Sequence, residues 1–509
     1  MTDERSEPNA APLTRIVARA TAMIRREEGQ WTPPPYLTVL LFVVVAVPSL
    51  AASIILTPPS QVPDAIVQFE RAVEVSQGGL VARVQHGEAG DFLPAGIVGF
   101  ERVYAPLPFD YAAKVDGSEI DREGRVVWGR TRRFVDIPGA ADYPPVAYLP
   151  GALAVAIARL VTSRIVVAYY MLEVFNALAF VALVSLALIL FRGISAALLA
   201  ALAILPMTIS LAGSPSTDGI IFGLSSLFTA VVYYERRRRA AEDAASGPEP
   251  AAPLASVRRL VPKLSRLEWV AVASLAVVAL AKPPYVVLVL LLGLAVTQPR
   301  GVRAYVQRVA PLALLVAVIV LAWYTLGARF QGAEAAVGPT VAPMRQLRFL
   351  LAHPTHIVHV AATTLQVTSG FYARSFIGIL GWLDTPLEHW LYVGVVLGLG
   401  VLVVMRVLTG VVEWRVLACC AVAAGLSAAL IFGTLYADWT PVGLPEVLGV
   451  QGRYFLPLAP ALIVGLGRDR PNLRMKVRWW TLSTFVWLAL AGLAAVGSSI
   501  ALLGRYWLT

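Results

Sequence analysis

Long apolar runs separated by short polar stretches dominate the chain. The first run, residues 36–56, holds about twenty residues without a charge, which is enough to cross the hydrocarbon core of a bilayer. In lipid the backbone must satisfy its own hydrogen bonds, so each run predicts an α-helix. About eleven spans are predicted, at 36–56, 165–191, 194–212, 218–234, 268–281, 284–298, 309–327, 389–407, 415–436, 454–467 and 480–503.

One further apolar run, residues 146–161, is open to two interpretations. Counted as a span, it would place the block Arg236-Arg237-Arg238-Arg239 outside the cell. Counted as a juxtamembrane helix in the outer interface, it places that block and nearly every other basic loop inside, as the positive-inside rule requires. We adopt the second interpretation, which predicts a cytoplasmic amino terminus and an external carboxyl terminus.

This topology divides the chain into six parts. The largest external segment mixes both charges with glycines and prolines, and the alternation in Arg125-Val126-Val127-Trp128 predicts a small β-element there. The parts are a cytoplasmic segment 1–35, a first span 36–56, a periplasmic loop 57–164, a bundle 165–327 with a cytoplasmic loop 235–267, a second periplasmic segment 328–388 and the final spans 389–509.

Composition agrees with a polytopic, all-α membrane protein. Of the 509 residues 58% are hydrophobic and only 15% are charged, whereas a soluble domain carries about a quarter charged residues. The net charge of +10 comes from basic loops between spans, so we expect no nucleic-acid partner and assign the excess to the cytoplasmic membrane face. Cys419 and Cys420 are adjacent, which argues against a disulfide between them.

The first carboxylate beyond the first span is Asp64, shortly after Pro58 and Pro59. An acid held so close to the headgroups is well placed to act on a lipid-borne substrate. The alternative is structural, since Asp is a favoured N-cap and a helix is expected from Ala65.

Two cations stand where a charge is costly or unexpected. Lys282 lies in Lys282-Pro283-Pro284, which separates two short apolar helices, and irregular backbone at membrane depth usually lines a cavity. Arg453 lies on the outer face, against the positive-inside bias, and a guanidinium can clamp a phosphate with two hydrogen bonds. Each is a candidate phosphate ligand; for Lys282 the alternative is a side chain that extends to the interface.

Weaker candidates are three more charged residues. Asp218 follows Ser-Pro-Ser-Thr at a helix start, where a capping role competes with a place in a substrate cavity. Asp384 in Trp-Leu-Asp-Thr-Pro predicts an Asx-type turn, with sugar contact as the alternative. Arg374 is a further candidate phosphate ligand.

His353, His356 and His359 follow one another at intervals of three residues. That spacing spreads the rings across a helix face, and no nearby acid completes a zinc site. We therefore favour an interfacial helix with polar rings over a metal site.

Several short motifs occur in a fixed order over roughly residues 40–470. Together they resemble the bacterial domain-of-unknown-function family 2142, whose members are uncharacterised polytopic membrane proteins. The motifs are Pro59-x-x-x-Pro63-Asp64 with Phe69-x-Arg71-Ala72 and Gly78-Gly79, Tyr143-Pro144-Pro145-Val146-Ala147-Tyr148, Pro206-Met207 with Ser214-Pro215-Ser216-Thr217-Asp218, Lys282-Pro283-Pro284-Tyr285, Gly381-Trp382-Leu383-Asp384-Thr385-Pro386, and Gln451-Gly452-Arg453-Tyr454-Phe455-Leu456-Pro457.

That family in turn looks like the GT-C superfamily of membrane glycosyltransferases, in a first span, a long outer loop with an acidic residue and juxtamembrane helices, and a helical bundle. The resemblance implies a bacterial inner-membrane enzyme that moves a sugar from a polyprenyl-phosphate donor to an envelope glycan, glycolipid or protein. Asp64 would be the base and Lys282 and Arg453 would hold the carrier phosphate, with Tyr143 among the substrate contacts. Only one acid remains in the first motif, so a divalent cation is compatible with the chemistry but no tightly held metal is expected.

The chain also departs from the family pattern. After the first span the family reads Pro-Asp-Glu with a His three residues later, and here Ala65 and Gln68 stand at those positions. This departure favours the alternative, a carrier or flippase for lipid-linked sugar or an inactive partner in envelope assembly. Internal repeats, typical of transporters, are not convincing in the sequence.

Overall fold

The computed structural model describes residues 34–246, 264–296, 302–327, 340–469 and 476–508. The predicted cytoplasmic segment 1–35, apart from its last two residues, and most of the basic loop 235–267 lie outside these residues. The described part of the chain is mainly α-helical, with three small antiparallel sheets.

The elements follow one another in chain order. The first half contains α1 (Pro35–Leu56), α2 (Ala65–Ser76), β1 (Arg83–Gln85), β2 (Glu88–Pro94), α3 (Gly96–Glu101), α4 (Gly117–Arg125), β3 (Arg132–Asp136), a 3-10 helix (Pro145–Tyr148), α5 (Leu149–Val161), α6 (Ile165–Leu190), α7 (Ile194–Ala203), α8 (Pro206–Ala212) and α9 (Asp218–Ser246). The second half contains α10 (Arg266–Ala281), a 3-10 helix (Pro283–Leu291), α11 (Leu292–Val296), α12 (Val302–Gly327), α13 (Pro343–Ala352), α14 (His356–Ile377), β4 (Ile379–Leu380), β5 (Thr385–Pro386), α15 (His389–Thr409), β6 (Gly410–Val411), α16 (Trp414–Asp438), a 3-10 helix (Gly452–Leu458), α17 (Ala459–Gly465), β7 (Arg468–Asp469) and α18 (Lys476–Tyr506).

Fewer helices can span a bilayer than the sequence predicted. By length and apolar composition, six described helices qualify, or seven if α7 and α8, which meet at a bend of 63°, form one span. The count of about eleven is therefore not confirmed. The predicted spans 268–281, 284–298 and 454–467 fall on α10, with 16 residues, and on two 3-10 helices continued by short α-helices. A helix of 16 residues is about 24 Å long, short of the roughly 30 Å hydrocarbon core.

The break predicted at Lys282-Pro283-Pro284 is confirmed. α10 ends at Ala281, Lys282 is extended (φ −143°, ψ 98°), and a 3-10 helix begins at Pro283. A proline disfavours helical backbone at the preceding residue, which explains the extended lysine.

Residues 57–164 form a small unit beside the bundle. Strands β1, β2 and β3 pair antiparallel in that order, with Phe92 opposite Phe134. The predicted β-element is thus present, but the stretch from Arg125 to Trp128 that suggested it is not a strand and forms only an isolated bridge from Val127 to Arg164. The run 146–161, predicted to be a helix outside the spans, is largely α5.

The described residues form three hydrophobic cores. The largest fills the helical bundle. The second joins the small unit to α6, with the rings of Phe69, Phe100 and Tyr169 packed together. The small unit is therefore fixed to the bundle rather than loosely attached to it. The third and smallest core packs α14 against α16 around Tyr372 and Tyr436.

The small unit and the arginine block of α9 lie at opposite ends of the bundle. From Asp218 to Arg236 the helix rises about 27 Å. At the first end, Trp323 and Trp507 donate hydrogen bonds to the carbonyls of Asp142 and Leu56. At the other end, arginines of α9 pair with acids near the starts of α16 and α10: Arg236 with Glu413 and Arg239 with Glu268.

Candidate functional site

Four charged side chains from distant parts of the chain meet where the small unit joins the bundle. Arg453 Nη2 lies 2.8 Å from Asp64 Oδ2, and Arg453 Nη1 lies 3.9 Å from Asp218 Oδ2. The Lys282 ammonium pairs with the other oxygen of Asp218. We call Asp64, Asp218, Lys282 and Arg453 the charged cluster.

Asp64 reaches the cluster from the residue before α2. Its backbone is left-handed (φ 65°, ψ 3°), and its side chain makes no capping hydrogen bond to the helix. Asp64 therefore occupies the N-cap position of α2, as the structural alternative predicted, but its side chain does not cap the helix. The carboxylate is instead available to Arg453 and, with 54% of the side chain exposed, to solvent.

Asp218 is the first residue of α9, held by a serine-rich turn. Its N–H donates to Ser216 Oγ at 3.2 Å, and the Ser214 carbonyl accepts a 3.0 Å hydrogen bond from Asn176 of α6. These contacts fix the helix start, while the carboxylate faces the two cations. Asp218 thus belongs to the cluster.

Lys282 and Arg453 come from breaks in the bundle. Lys282 is the extended residue between α10 and its following 3-10 helix. Arg453 follows Gly452, whose N–H donates to Ser375 Oγ of α14 at 2.8 Å. A Cβ on Gly452 would lie 2.0 Å from the Tyr372 carbonyl oxygen, so only glycine permits this approach.

One aromatic ring, that of Tyr454, lies beside both cations. Lys282 Nζ lies 4.9 Å and Arg453 Cζ 5.3 Å from the centroid of the Tyr454 ring. A cation over an aromatic face is attracted by the electron-rich face of the ring. The Tyr285 hydroxyl donates to the Tyr454 carbonyl at 2.8 Å, which holds this residue in place.

Tyr143 lies near the same cluster. Burial raises the pKa of its phenol, and the nearby charges of Asp218 and Asp64 raise it further. The hydroxyl therefore stays protonated and can donate a hydrogen bond at neutral pH. Its backbone carbonyl accepts a 2.8 Å hydrogen bond from the buried Arg71.

The cluster is neutral overall but unevenly exposed. The side chains of Arg453, Asp218 and Lys282 are 3%, 12% and 19% exposed, whereas that of Asp64 is 54% exposed. The three inner residues carry a net charge of +1, which Asp64 neutralises from the solvent side. Such an arrangement can exchange its outer carboxylate for another anion.

Two predicted site residues lie elsewhere. Asp384 is fully buried and pairs with Arg505 at 3.0 Å. It also accepts backbone hydrogen bonds from Trp382 and Phe109, so it orders loops. The predicted Asx-type turn is not formed, because the Trp382 donor precedes Asp384 and the residue two positions after it is Pro386, which has no N–H. Arg374 is exposed on α14 and donates to the Gly370 carbonyl of its own helix.

The histidines of the third candidate group contact aromatic rings. The His353 ring stacks on Phe349 with centroids 4.7 Å apart, and His356 lies 6.0 Å from His359. Among the residues the structure describes, no group of three or more His, Cys, Asp or Glu side chains is placed to hold a metal. Cys419 and Cys420 are free thiols.

Sequence reasoning missed the roles of Tyr454 and Arg71. Tyr454 was not singled out as a site residue, although its position next to Arg453 in Gln-Gly-Arg-Tyr was a signal. Arg71, in Phe69-x-Arg71, is fully buried, pairs with Glu74 at 2.6 Å and supports Tyr143. An arginine on the apolar face of a short helix was the available signal.

Residues 48–248 and 251–462 match the sequence model of the family described as predicted membrane protein (DUF2142). The chain belongs to this family. No curated protein matches this DUF2142 chain in sequence. Among solved structures it is similar to ArnT from Cupriavidus metallidurans bound to undecaprenyl phosphate, with 14% identity, a TM-score of 0.33, and coverage of 92% of this chain and 76% of that chain.

Ala65 and Gln68, at which this DUF2142 chain departs from the expected motif, both have structural roles. Ala65 is fully buried at the start of α2. Gln68 is buried and its Oε1 accepts a 2.6 Å hydrogen bond from the Tyr148 hydroxyl. Neither residue supplies an acid or base to the charged cluster, in which Asp64 is the exposed carboxylate.

Proposed function

We propose that this protein is an inverting membrane glycosyltransferase of the GT-C type that uses a polyprenyl-phospho-sugar donor. The observation that carries the proposal is the convergence of Asp64, Asp218, Lys282 and Arg453, four charged residues from separate motifs, at one end of the bundle. The cluster combines one open carboxylate with two cations, the groups that sugar transfer from a lipid phosphate needs.

The donor phosphate would bind at the cations. Lys282 is the more exposed of the two, so it makes the first contact, and the edge of the Arg453 guanidinium lies beside it. A phosphate placed there competes with Asp64 for Arg453. Donor binding would then release the Asp64 carboxylate from its ion pair with Arg453 and leave it open to the acceptor.

The transfer step follows from this placement. The acceptor hydroxyl oxygen attacks the anomeric carbon, and its proton passes to Asp64. The bond from that carbon to the phosphate oxygen breaks, and the polyprenyl phosphate leaves with its charge offset by Lys282 and Arg453. Tyr143 donates a hydrogen bond to the sugar. The proposed step uses no tightly held metal, and a divalent cation at the site is compatible with it.

We also propose that the cluster faces the periplasm, in the inner membrane, with the amino terminus in the cytoplasm. Support comes from the arginine-rich end of α9, which lies about 27 Å from Asp218 and is suited to the cytoplasmic face. The acceptor is then an envelope glycan, glycolipid or protein, and the partners are the donor lipid and the bilayer.

A test uses purified full-length protein in lipid nanodiscs with a panel of radiolabelled polyprenyl-phospho-sugars. We expect Asp64→Asn to lower turnover at least about 100-fold, typical of losing a general base, while donor binding is retained. Asp121→Asn is the matched control, because Asp121 is also an exposed acid paired with an arginine. Equal turnover by Asp64→Asn and wild type would reject the assignment.

One observation favours a different function. Ala65 and Gln68 are buried and have structural roles. At this motif the chain therefore keeps only the acid Asp64, whereas its family is expected to have a glutamate and a histidine as well. A carrier for lipid-linked sugar, or an inactive assembly partner, would need only the cationic part of the cluster. Wild-type protein that binds donors without transfer or hydrolysis would support this alternative and contradict the transferase.

A further inference from the structure

A cleft in the small unit lies away from the charged cluster. It has a volume of about 370 Å³ and is lined by Gln77, Gly78, Gly79, Arg83, Asp91, Phe92 and Arg132. This volume falls within the roughly 300–1,000 Å³ typical of ligand sites. None of these residues belongs to the charged cluster.

The cleft is positively charged. It contains two guanidiniums, Arg83 and Arg132, and one carboxylate, Asp91, which pairs with Arg83 at 3.1 Å. Among the lining residues the positive charges outnumber the negative ones by one, which favours an anionic ligand.

An aromatic wall accompanies these charges. Phe92 is 38% exposed and lies edge-on to Phe134 at 5.8 Å, directly opposite it in the sheet. Arg132 begins the same strand as Phe134, two residues away, and so lies on the same face. An exposed ring beside charged and amide groups is suited to a sugar, whose C–H face packs on the ring while its hydroxyls bond the polar groups.

Glycines shape the far wall. A Cβ on Gly79 would lie 2.6 Å from Glu74 Cγ, and Gly78 has a positive φ of 85°. Larger residues would disturb the turn that closes this side of the cleft.

The cleft wall and the charged cluster share one support. Arg71 Nη2 donates to the Leu80 carbonyl, next to Gly79, and also to the Tyr143 carbonyl. Helix α2 is about 18 Å long and connects the charged cluster to the cleft. Asp64 precedes its first residue, and Gln77 follows its last residue. That separation suits an extended ligand of several sugar rings.

We propose that this cleft binds an acidic saccharide, with carboxylate-bearing sugars held by Arg83 and Arg132 and one ring packed on Phe92. We take this saccharide to be the acceptor of the transfer reaction, extending along α2 toward Asp64. In that respect the inference rests on the proposed function. Its binding can be measured without any transfer reaction.

The experiment measures binding of oligogalacturonate, and of neutral galactose oligomers of equal length, to the full chain in nanodiscs of zwitterionic lipid. We expect oligogalacturonate to bind at least about 10-fold tighter, and the Arg83→Gln/Arg132→Gln variant to remove that preference. Phe92→Ala should weaken both ligands. The control is Arg125→Gln, since Arg125 is an exposed arginine of the same unit outside the cleft.

Folding of the double variant is checked by thermal unfolding, and Arg83 is 69% exposed, so its loss should leave the unit folded. Equal binding of acidic and neutral oligomers, or a preference that survives in the double variant, overturns the proposal. The proposal is also overturned if the protein binds anionic lipid vesicles in preference to neutral ones but shows no preference for oligogalacturonate. That result would assign the basic surface to lipid binding.

The same variants separate this inference from the proposed function. If Asp64→Asn abolishes transfer but binds oligogalacturonate like wild type, both stand. If the double variant transfers sugar with an unchanged KM for the acceptor, the saccharide site is rejected and the transferase proposal is retained. If wild-type protein binds oligogalacturonate but transfers no sugar, the saccharide site is retained and the transferase proposal is rejected.

Discussion

Two arginine–aspartate pairs in this protein have similar distances and different surroundings. Arg453–Asp64 and Arg505–Asp384 have N–O distances of 2.8 and 3.0 Å. Asp384 is fully buried and its oxygens accept backbone hydrogen bonds from Trp382 and Phe109. Asp64 is 54% exposed and pairs on one side only.

The difference separates a structural pair from a candidate reactive one. A carboxylate with all its hydrogen bonds made and no access to solvent can only hold its neighbours together. A carboxylate that is paired on its buried side and exposed to solvent on the other can exchange that partner for a ligand. Residue type and proximity to an arginine therefore do not identify the site, whereas exposure does.

Removing the two acids should lower stability by unequal amounts. We expect Asp384→Ala to lower the free energy of unfolding by about 3–5 kcal/mol, because Arg505 would be left as a buried unpaired charge. Asp64→Ala should cost only about 0–1 kcal/mol, because the Asp64 side chain is half exposed and Arg453 keeps Asp218 as a partner at 3.9 Å. Thermal unfolding in detergent measures both.

A double variant sharpens this expectation. Asp384→Ala/Arg505→Leu removes both buried charges and should be less destabilised than Asp384→Ala alone. Equal stability loss for the single variants at Asp64 and Asp384 would erase the distinction between the two pairs.

The second prediction concerns the glycine that brings Arg453 to Asp64. Gly452→Ala places a methyl group 2.0 Å from the Tyr372 carbonyl, so the 3-10 helix must shift from α14. We expect a stability loss of about 1–3 kcal/mol, as for overpacking, together with weaker donor binding. Gly370→Ala on α14 is the control, because nothing lies within 4 Å of its Cβ. Unchanged donor binding in Gly452→Ala would show that the position of Arg453 is not critical.

Glu123 extends the comparison to an acid whose described partner is a phenol. Its Oε2 accepts a 2.9 Å hydrogen bond from Tyr104, and burial raises its pKa to about 7. Since the folded pKa exceeds the unfolded one, its contribution to stability is full below about pH 4.5 and is lost as pH rises through 7.

The expected change is about 1–2 kcal/mol between about pH 5 and pH 8. Unfolding temperatures across this range should fall less in Glu123→Gln than in wild type. An identical pH dependence in both proteins would rule out Glu123 as the titrating group.

Sequence reasoning found the members of the charged cluster but could not separate them from other candidates. Lys282 was identified from the prolines that follow it, and Arg453 from its place on the outer face. Asp384 was a weak candidate of the same kind as Asp218, since each is an acid in a short motif with a structural role as the alternative. Only the contacts show that Asp218 faces two cations whereas Asp384 faces one arginine and two backbone amides.

The count of about eleven spans is not confirmed, for a related reason. Apolar content identifies segments that avoid water, but the bundle's own core excludes water as lipid does. Segments such as 268–281 and 454–467 are therefore apolar because they pack inside the bundle, as burial of Leu275 and Val464 shows.

By itself the sequence determined the membrane class, the break at Lys282 and the choice of acids and bases, since these follow from local hydrophobicity, proline geometry and the cost of charge in lipid. Only the tertiary structure decided which charges meet, which of them stay open to solvent, and where a basic cleft forms. Those outcomes depend on contacts between residues hundreds of positions apart, such as Asp64 and Arg453. Local sequence does not encode them, because the geometry arises only when every helix has packed.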